Sequence, residues 1–224
     1  MDKKLTIQDF WNLIDDWRAY GEPGHPEYLS YAEASLAKLN PKNLVHFKEI
    51  QEAYMAHAYT PGLWEAATAM KGGCSDSSFD YFLAWLIAQG KDTYLGALHN
   101  PDSLSQLDLD YFSEYSIPSF CEFEEFLYLP ASAYDSMGYP GDLYDHLQKL
   151  PQEELDELRA EIRYAPGMEQ MSRSHQEMKE RLPKLMEKTG YASDPGWLDP
   201  GRPQSWGCDW QIKPDLPDQS MKML

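Results

Sequence analysis

Apolar residues recur at helical spacing through most of the chain, and no segment shows the period-2 alternation that is typical of a strand. Near the N-terminus, Thr6 followed three residues later by Asp9 indicates a helix start. Phe10, Ile14 and Trp17 then mark one face of that helix. The pattern predicts an all-α protein.

Punctuating residues divide the first ninety positions into five predicted helices. The first helix is expected to end before Gly21, and the second to span 27–39. The third is expected to begin at Pro41 and to end at Pro61-Gly62, with Leu44, Phe47, Ile50 and Tyr54 facing inward. The fourth is expected over 63–70 and is closed by Gly72-Gly73. The fifth, 77–90, is apolar nearly all round, so we expect it to be buried on several sides. Gly90 is its expected left-handed C-cap.

The second half is predicted from weaker signals. A short acidic and aromatic helix is expected over 117–129, followed by a turn at 137–141. Pro151 is expected to begin a further helix that turns Leu155, Leu158 and Ile162 inward. Asp156 and Arg159 of that helix can form an ion pair. Another helix is expected over 168–188, kinked or split by Pro183. Residues 194–224, with five prolines and Trp197, Trp206 and Trp210, are expected to form an extended arm that packs on the body or on another chain.

These elements predict one helical body of about eight to ten helices. The expected organisation is a helical domain at 1–115, a helical extension packed on it at 116–193, and the extended tail at 194–224.

Charge is distributed unevenly along the chain. The 57 residues between Lys91 and Lys149 contain no Lys or Arg but carry eleven carboxylates and eleven Phe or Tyr. A segment of this kind projects a negative field over an aromatic surface. Its partner-binding candidates are Glu114, Glu122, Glu124, Glu125, Asp142 and Asp145. A solvated acidic face that serves solubility alone is the alternative interpretation.

The formal net charge of -18 limits the classes of partner. Nucleic acids and anionic membranes both require clustered Lys or Arg, so we expect neither as a partner. A basic protein is the expected partner, and a homo-oligomer is possible. No motif for a metal or an organic cofactor is present, and we expect none.

Three widely spaced cysteines, Cys74, Cys121 and Cys208, predict neither a disulfide framework nor a structural zinc site. The first ten residues lack an apolar signal core, and no apolar run reaches the length of a membrane helix. We therefore expect a cytoplasmic protein.

The run from Lys71 to Gly90, KGGCSDSSFDYFLAWLIAQG, is the most distinctive part of the sequence. Together with Phe10-Trp11-Asn12-Leu13-Ile14, the 63–67 segment LWEAA and the 97–102 segment ALHNPD, it resembles the DUF4240 family over about residues 6–115. The resemblance implies a helical bacterial domain without an assigned activity. Ser77 and Leu83 stand where the family pattern has Asp and Arg, so a charge-dependent role at those positions is not expected here.

The pocket candidates within and beside this run are Trp64, Gly73, Cys74, Ser75, Asp76, Phe79 and Trp85. Asp76 is either a carboxylate in a pocket lined by Trp64 and Trp85 or a helix N-cap bonded to the N–H of Ser78 or Phe79. Cys74 is either a nucleophile activated by a helix N-terminus and a histidine or a small packing residue.

Three functional hypotheses follow. The first is a protein-interaction module of the immunity or antitoxin type that binds a basic partner through the acidic block. The second is a small hydrolase or transferase with a carboxylate or Cys74 working near Trp64 and Trp85. The third is an oligomeric scaffold whose Trp-rich tail docks on a neighbouring subunit. The first is preferred, and the sequence leaves the others open.

Overall fold

The computed structural model describes residues 4–108, 121–162, 168 and 170–190, and these residues form no strand. The all-α prediction is confirmed. The α-helices are α1 (Ile7–Arg18), α2 (Pro26–Leu36), α3 (Pro41–His57), α4 (Pro61–Lys71), α5 (Asp76–Ala88), α6 (Lys91–His99), α7 (Glu124–Ser136), α8 (Leu143–Leu147), α9 (Gln152–Glu161), α10 (His175–Arg181) and α11 (Pro183–Lys188). A 3-10 helix, Pro101–Gln106, lies between α6 and α7.

Capping side chains and prolines in the sequence determine where the helices start. Thr6 and Asp9 form a capping box at the start of α1, as predicted. Pro61 begins α4 and does not end α3, because the Thr60 side chain accepts the backbone N–H of Leu63 and a proline at the first helical position loses no internal hydrogen bond. Helix α3 had already ended at His57.

Helix α5 lies at the centre of the core, in agreement with its all-round apolar pattern. Phe82 and Leu86 are both fully buried, and α5 packs against α3, α4, α6 and α7. Gly90, predicted to be a left-handed cap, instead has φ 89° and ψ 165° and serves as the N-cap of α6. A Cβ there would lie 2.8 Å from Arg18 Nη1, so α1 approaches this turn closely.

Helix α7 lies later in the chain than predicted and contains Pro130 in its interior. Proline has no N–H, so the carbonyl of Phe126 loses its helical donor. The Gln51 side chain of α3 donates to that carbonyl at 2.7 Å, and Lys48 Nζ donates to the next carbonyl, that of Leu127, at 3.1 Å. Two buried polar residues of α3 thereby complete the hydrogen bonding of α7.

The C-terminal helices are held to the body by buried carboxylates. The predicted Asp156–Arg159 pair does not form, because Arg159 bonds instead to the buried Glu49, with Nη2 to Oε1 at 2.8 Å. Leu155 and Ile162 of the same segment are buried as predicted.

Pro183 divides the last predicted helix into α10 and α11. The Trp-rich tail, 194–224, lies outside the described residues, and the three predicted domain boundaries stay predictions.

Candidate functional site

The loop of the distinctive motif joins α4 to α5. Gly72 ends α4 in the left-handed conformation with φ 69°, and Gly73 also has a positive φ, 154°. The N-cap of α5 is Ser75, whose hydroxyl accepts the N–H of Ser78, so the prediction that Asp76 is the cap is wrong. Asp76 lies in the first helical turn and is exposed, so it does not enter a pocket between Trp64 and Trp85 either.

The aromatic candidates of the motif form part of the core. Trp64 and Trp85 are each 5% exposed, and Phe79 is fully buried. Ring centroids lie 4.5 Å apart for Trp64 and Phe79, 6.1 Å for Phe79 and Phe82, and 5.7 Å for Phe82 and Trp85. This continuous contact joins α4 to the length of α5 and leaves the rings little surface for a ligand.

A partly buried polar cluster lies behind the loop and was missed by sequence reasoning. The Lys71 ammonium donates to Ser78 Oγ and to Glu122 Oε1, and the Ser78 hydroxyl also bonds to Glu122. The Lys71 side chain is only 4% exposed and that of Glu122 is 21% exposed. The cluster ties the end of α4 and the start of α5 to the segment before α7, where Phe123 N–H also donates to the carbonyl of Tyr81.

Two thiols lie at this junction. Cys121 is fully buried, and burial raises the pKa of its thiol well above the ordinary value, although the Lys71 charge opposes the shift. A thiol held neutral in this way is a poor nucleophile. Cys74 is half-buried, and its Sγ lies 3.6 Å from the carbonyl oxygen of Ser75.

A second region brings exposed tyrosines and carboxylates together. We call it the tyrosine–carboxylate face and define it as Glu52, Asp80, Tyr81, Glu124, Tyr128, Asp142 and Tyr144. Tyr128 and Tyr144 are 50% and 38% exposed. Glu124 and Tyr128 are four residues apart on α7 and therefore share one side of that helix.

Hydrogen bonds and charge effects connect the members of the face. Tyr81 O–H donates to Glu124 Oε1 at 2.9 Å, and Asp142 Oδ1 accepts the N–H of Tyr144 at 2.7 Å. The hydrogen bond to Glu124 raises the pKa of Tyr81, with smaller contributions from burial, Tyr128 and Asp80. Burial raises the pKa of Tyr144, and the charge of Glu52 is the next largest cause. The negative charge of carboxylates from several helices thus disfavours ionisation of these phenols.

The cation nearest to this face is already engaged by the fold. Lys48 Nζ lies 5.8 Å from the centroid of the Tyr144 ring and 3.6 Å from Glu52 Oε1, but Lys48 is 6% exposed and bonds to Gln51 and to the Leu127 carbonyl. Burial lowers the pKa of Lys48, and Glu52 opposes that shift. Within the part of the chain that the structure describes, Asp80, Glu124 and Asp142 have no Lys or Arg partner.

The other acidic candidates differ in their surroundings. Glu125 and Asp145 are exposed, whereas the charge of Glu122 is neutralised by Lys71. Glu114 lies outside the described residues. Glu124 and Asp142 were candidates from the sequence, whereas Glu52 of α3 and Asp80 of α5 had no sequence signal that placed them here.

The described residues contain no group of three or more His, Cys, Asp or Glu side chains arranged to hold a metal ion. Among the same residues, no helix is both long enough and apolar enough to cross a membrane.

Comparison with known proteins identifies a family and nothing beyond it. The family model described as a protein of unknown function, DUF4240, matches residues 5–136. The match covers more than half of the chain, so the chain belongs to this family, as the motif resemblance predicted. Neither the curated proteins nor the solved structures include a match.

Proposed function

We propose that this DUF4240 protein is a protein-interaction module that binds a basic partner through the tyrosine–carboxylate face. The observation that carries the proposal is the grouping of two exposed tyrosines, Tyr128 and Tyr144, with carboxylates from α3, α5, α7 and the N-cap of α8. A masking role of the immunity or antitoxin type is a concrete form of this function.

The chemistry of the face supports a cationic ligand. Tyrosine is enriched among the residues that dominate binding energy, since it buries a large ring and retains a polar group. A Lys or Arg side chain placed over a tyrosine ring gains a cation–π interaction, and the surrounding carboxylates favour its charge. Carboxylates at the edge also accelerate encounter with a basic protein.

The internal pairing of the lysines also supports the proposal. The Lys48 and Lys71 side chains are buried and bond to neighbouring groups of the fold, which leaves Asp80, Glu124 and Asp142 available to a ligand among the described residues. Solubility alone requires charge at the surface but does not require exposed aromatic rings among the carboxylates.

A titration of the isotopically labelled protein with an arginine-rich peptide tests the proposal. We expect backbone amide shifts to change most around Tyr81, Glu124, Tyr128 and Tyr144, and the apparent affinity to fall steeply between 50 and 500 mM salt, because exposed charges are screened. The double variant Glu124→Lys, Tyr128→Ala should weaken binding by about tenfold or more.

The matched control is Glu187→Lys, which makes the same change in charge at an exposed position of α11, a helix that packs on α4 and the 3-10 helix. The control should retain affinity within about twofold. Shift changes spread evenly over all exposed carboxylates, or equal losses in the two variants, would contradict a defined docking face and leave solubility as the role of the charge.

A further inference from the structure

Two cysteines lie on segments of the chain that are bonded to each other. Cys74 belongs to the loop between α4 and α5, and Cys121 precedes the start of α7. The next residue, Glu122, bonds to both Lys71 and Ser78. Those two residues lie on either side of Cys74 in sequence. The bonds therefore hold the two cysteine-bearing segments against each other.

Both thiols also belong to the same apolar region of the fold. Cys121 is a fully buried member of the hydrophobic core, and the partly buried Cys74 packs against that core. Burial is the largest cause of the raised pKa of Cys121, and the negative charge of an ionised Cys74 adds to it. The two groups are thus close enough to interact electrostatically.

The two thiols differ in their access to solvent. Cys74 is half-buried, so a small oxidant can reach its sulfur, whereas Cys121 is fully enclosed. An accessible thiol with a second cysteine close by is the arrangement typical of redox-sensing proteins. The buried thiol is protected from direct oxidation but is placed to react with an oxidised neighbour.

The loop that carries Cys74 can move towards Cys121. A disulfide requires the two Cα atoms to lie about 4.4–6.8 Å apart. Residues 72–75 belong to no helix, and an added Cβ at the left-handed Gly72 would meet nothing within 4 Å, so the start of the loop is unobstructed. Cys121, within the core, is the fixed member of the pair.

We propose that Cys74 and Cys121 form an oxidative modification site, at which a peroxide converts the two thiols into an intramolecular disulfide. Cys74 is the residue that the oxidant attacks, and Cys121 is the resolving thiol. The bond ties the loop of the distinctive motif to the segment that leads into α7. This site is separate from the tyrosine–carboxylate face, and neither proposal depends on the other.

The reaction has two steps. In the first, the Cys74 sulfur attacks one oxygen of hydrogen peroxide, the O–O bond breaks, and Cys74 becomes a sulfenic acid as one water leaves. In the second, the Cys121 sulfur attacks the sulfenic sulfur, the S–S bond forms, and the S–O bond breaks. The Cys121 proton leaves with the hydroxide as a second water. The two thiols together lose two electrons, which the peroxide gains.

Lys71 favours the second step. Its positive charge acts on Cys121 and opposes the effect of burial on the pKa of that thiol. The same charge stabilises the thiolate that develops as Cys121 gives up its proton. The residue that holds the two segments together therefore also assists the thiol that completes the bond.

The test oxidises the full chain with hydrogen peroxide, both under native conditions and in urea. After the remaining thiols have been blocked with iodoacetamide, non-reducing digestion and mass spectrometry identify which cysteines are joined. We expect the Cys74–Cys121 bond to be the main product in the native protein and to be reversed by dithiothreitol. In urea the same treatment should yield a mixture that includes bonds to Cys208, because the fold no longer holds two of the three thiols together.

The oxidised protein should also melt at a higher temperature than the reduced protein. The bond closes a loop from residue 74 to residue 121, which lowers the conformational entropy of the unfolded chain. We expect a rise of about 5 °C or more. A fall in melting temperature would mean that the folded chain is strained when the two sulfurs meet, which would contradict the pair.

Three cysteine variants assign the roles. Cys121→Ala, a small apolar replacement at a buried position, should leave Cys74 as a sulfenic acid that dimedone traps. Cys74→Ser should leave Cys121 unmodified by the same peroxide treatment, because the remaining thiol is enclosed. Cys208→Ser is the matched control, since it removes one thiol and should still form the native bond.

Three results would each overturn the proposal. The first is the absence of an intramolecular Cys74–Cys121 bond in the oxidised native protein. The second is oxidation of Cys121 in the Cys74→Ser variant. The third is loss of the bond in the Cys208→Ser control, which would show that the tail thiol carries the reaction.

Discussion

At the residue scale, the fold depends on a few buried polar side chains that donate hydrogen bonds to backbone carbonyls left without a helical donor. Pro130 leaves the Phe126 carbonyl without its helical donor, and Gln51 provides the replacement from α3. Gln51 is fully buried, so an unsatisfied carbonyl there would have no access to water. The proline is therefore tolerated because a neighbouring helix carries the compensating amide.

Replacing Gln51 tests this dependence. Gln51→Leu keeps a similar volume but leaves the Phe126 carbonyl without a donor, so we expect the free energy of unfolding to fall by about 1–3 kcal/mol in urea denaturation. Gln148→Leu, the same change at an exposed position, should alter it by less than about 0.5 kcal/mol. Equal stability of the two variants would show that the Gln51 bond is dispensable.

The Lys71–Ser78–Glu122 cluster makes a second prediction at this scale. Lys71→Met alone leaves Glu122 without its cation and should reduce stability by about 2 kcal/mol or more. The double variant Lys71→Met, Glu122→Gln removes both charges and should be less destabilised than the sum of the single variants by about 1 kcal/mol or more. Additive losses in this double-mutant cycle would mean that the two side chains are not coupled.

At the element scale, two neighbouring residues at the start of α5 have different roles: Ser75 caps the helix, and Asp76 places a charge in its first turn. Ser75→Ala removes the hydroxyl that accepts the Ser78 N–H and should cost about 1 kcal/mol in thermal or urea unfolding. Asp76→Ala removes only a charge in the first helical turn and should cost about 0.5 kcal/mol, decreasing with salt. A larger loss for Asp76 than for Ser75 would reverse these assignments.

Helical periodicity and punctuating residues were sufficient to predict the first four helices, and the nearly all-round apolar run predicted the buried fifth. Periodicity was not sufficient for α7, whose predicted range stopped at residue 129, because the donor that compensates for Pro130 lies 75 positions away in sequence, in α3. The same limit applies to the candidate sites. Asp76 was considered as the cap and Ser75 was not, although both residue types cap helices, and the Lys71–Glu122 pair joins positions 51 residues apart with no local signal.

At the scale of the whole molecule, one hydrophobic core runs from α1 to α11 and includes several buried tyrosines and the Cys121 thiol. Trp11, Trp17, Tyr28, Tyr54 and Tyr94 are among its largest buried side chains. Residues on both sides of position 136, where the family match ends, contribute to this core. We therefore expect the body and the C-terminal helices to unfold together in a single transition.

The buried ionisable groups predict loss of stability in alkali. Burial raises the pKa of Tyr28 far above its ordinary value of 10.0 and that of Cys121 well above 9.0, so both stay neutral in the folded protein while the unfolded chain ionises. Their contribution to stability is complete below pH 9 and is lost as the pH rises further, because the unfolded state then binds fewer protons. The free energy of unfolding in urea should accordingly decline from about pH 9 upward.

The Tyr28 hydroxyl is buried with no hydrogen-bond partner among the described atoms, so Tyr28→Phe should leave stability at pH 7 unchanged or higher and make the alkaline decline shallower. Tyr128→Phe, at a 50% exposed tyrosine, is the matched control, and an alkaline decline identical in the two variants would contradict the role assigned to Tyr28.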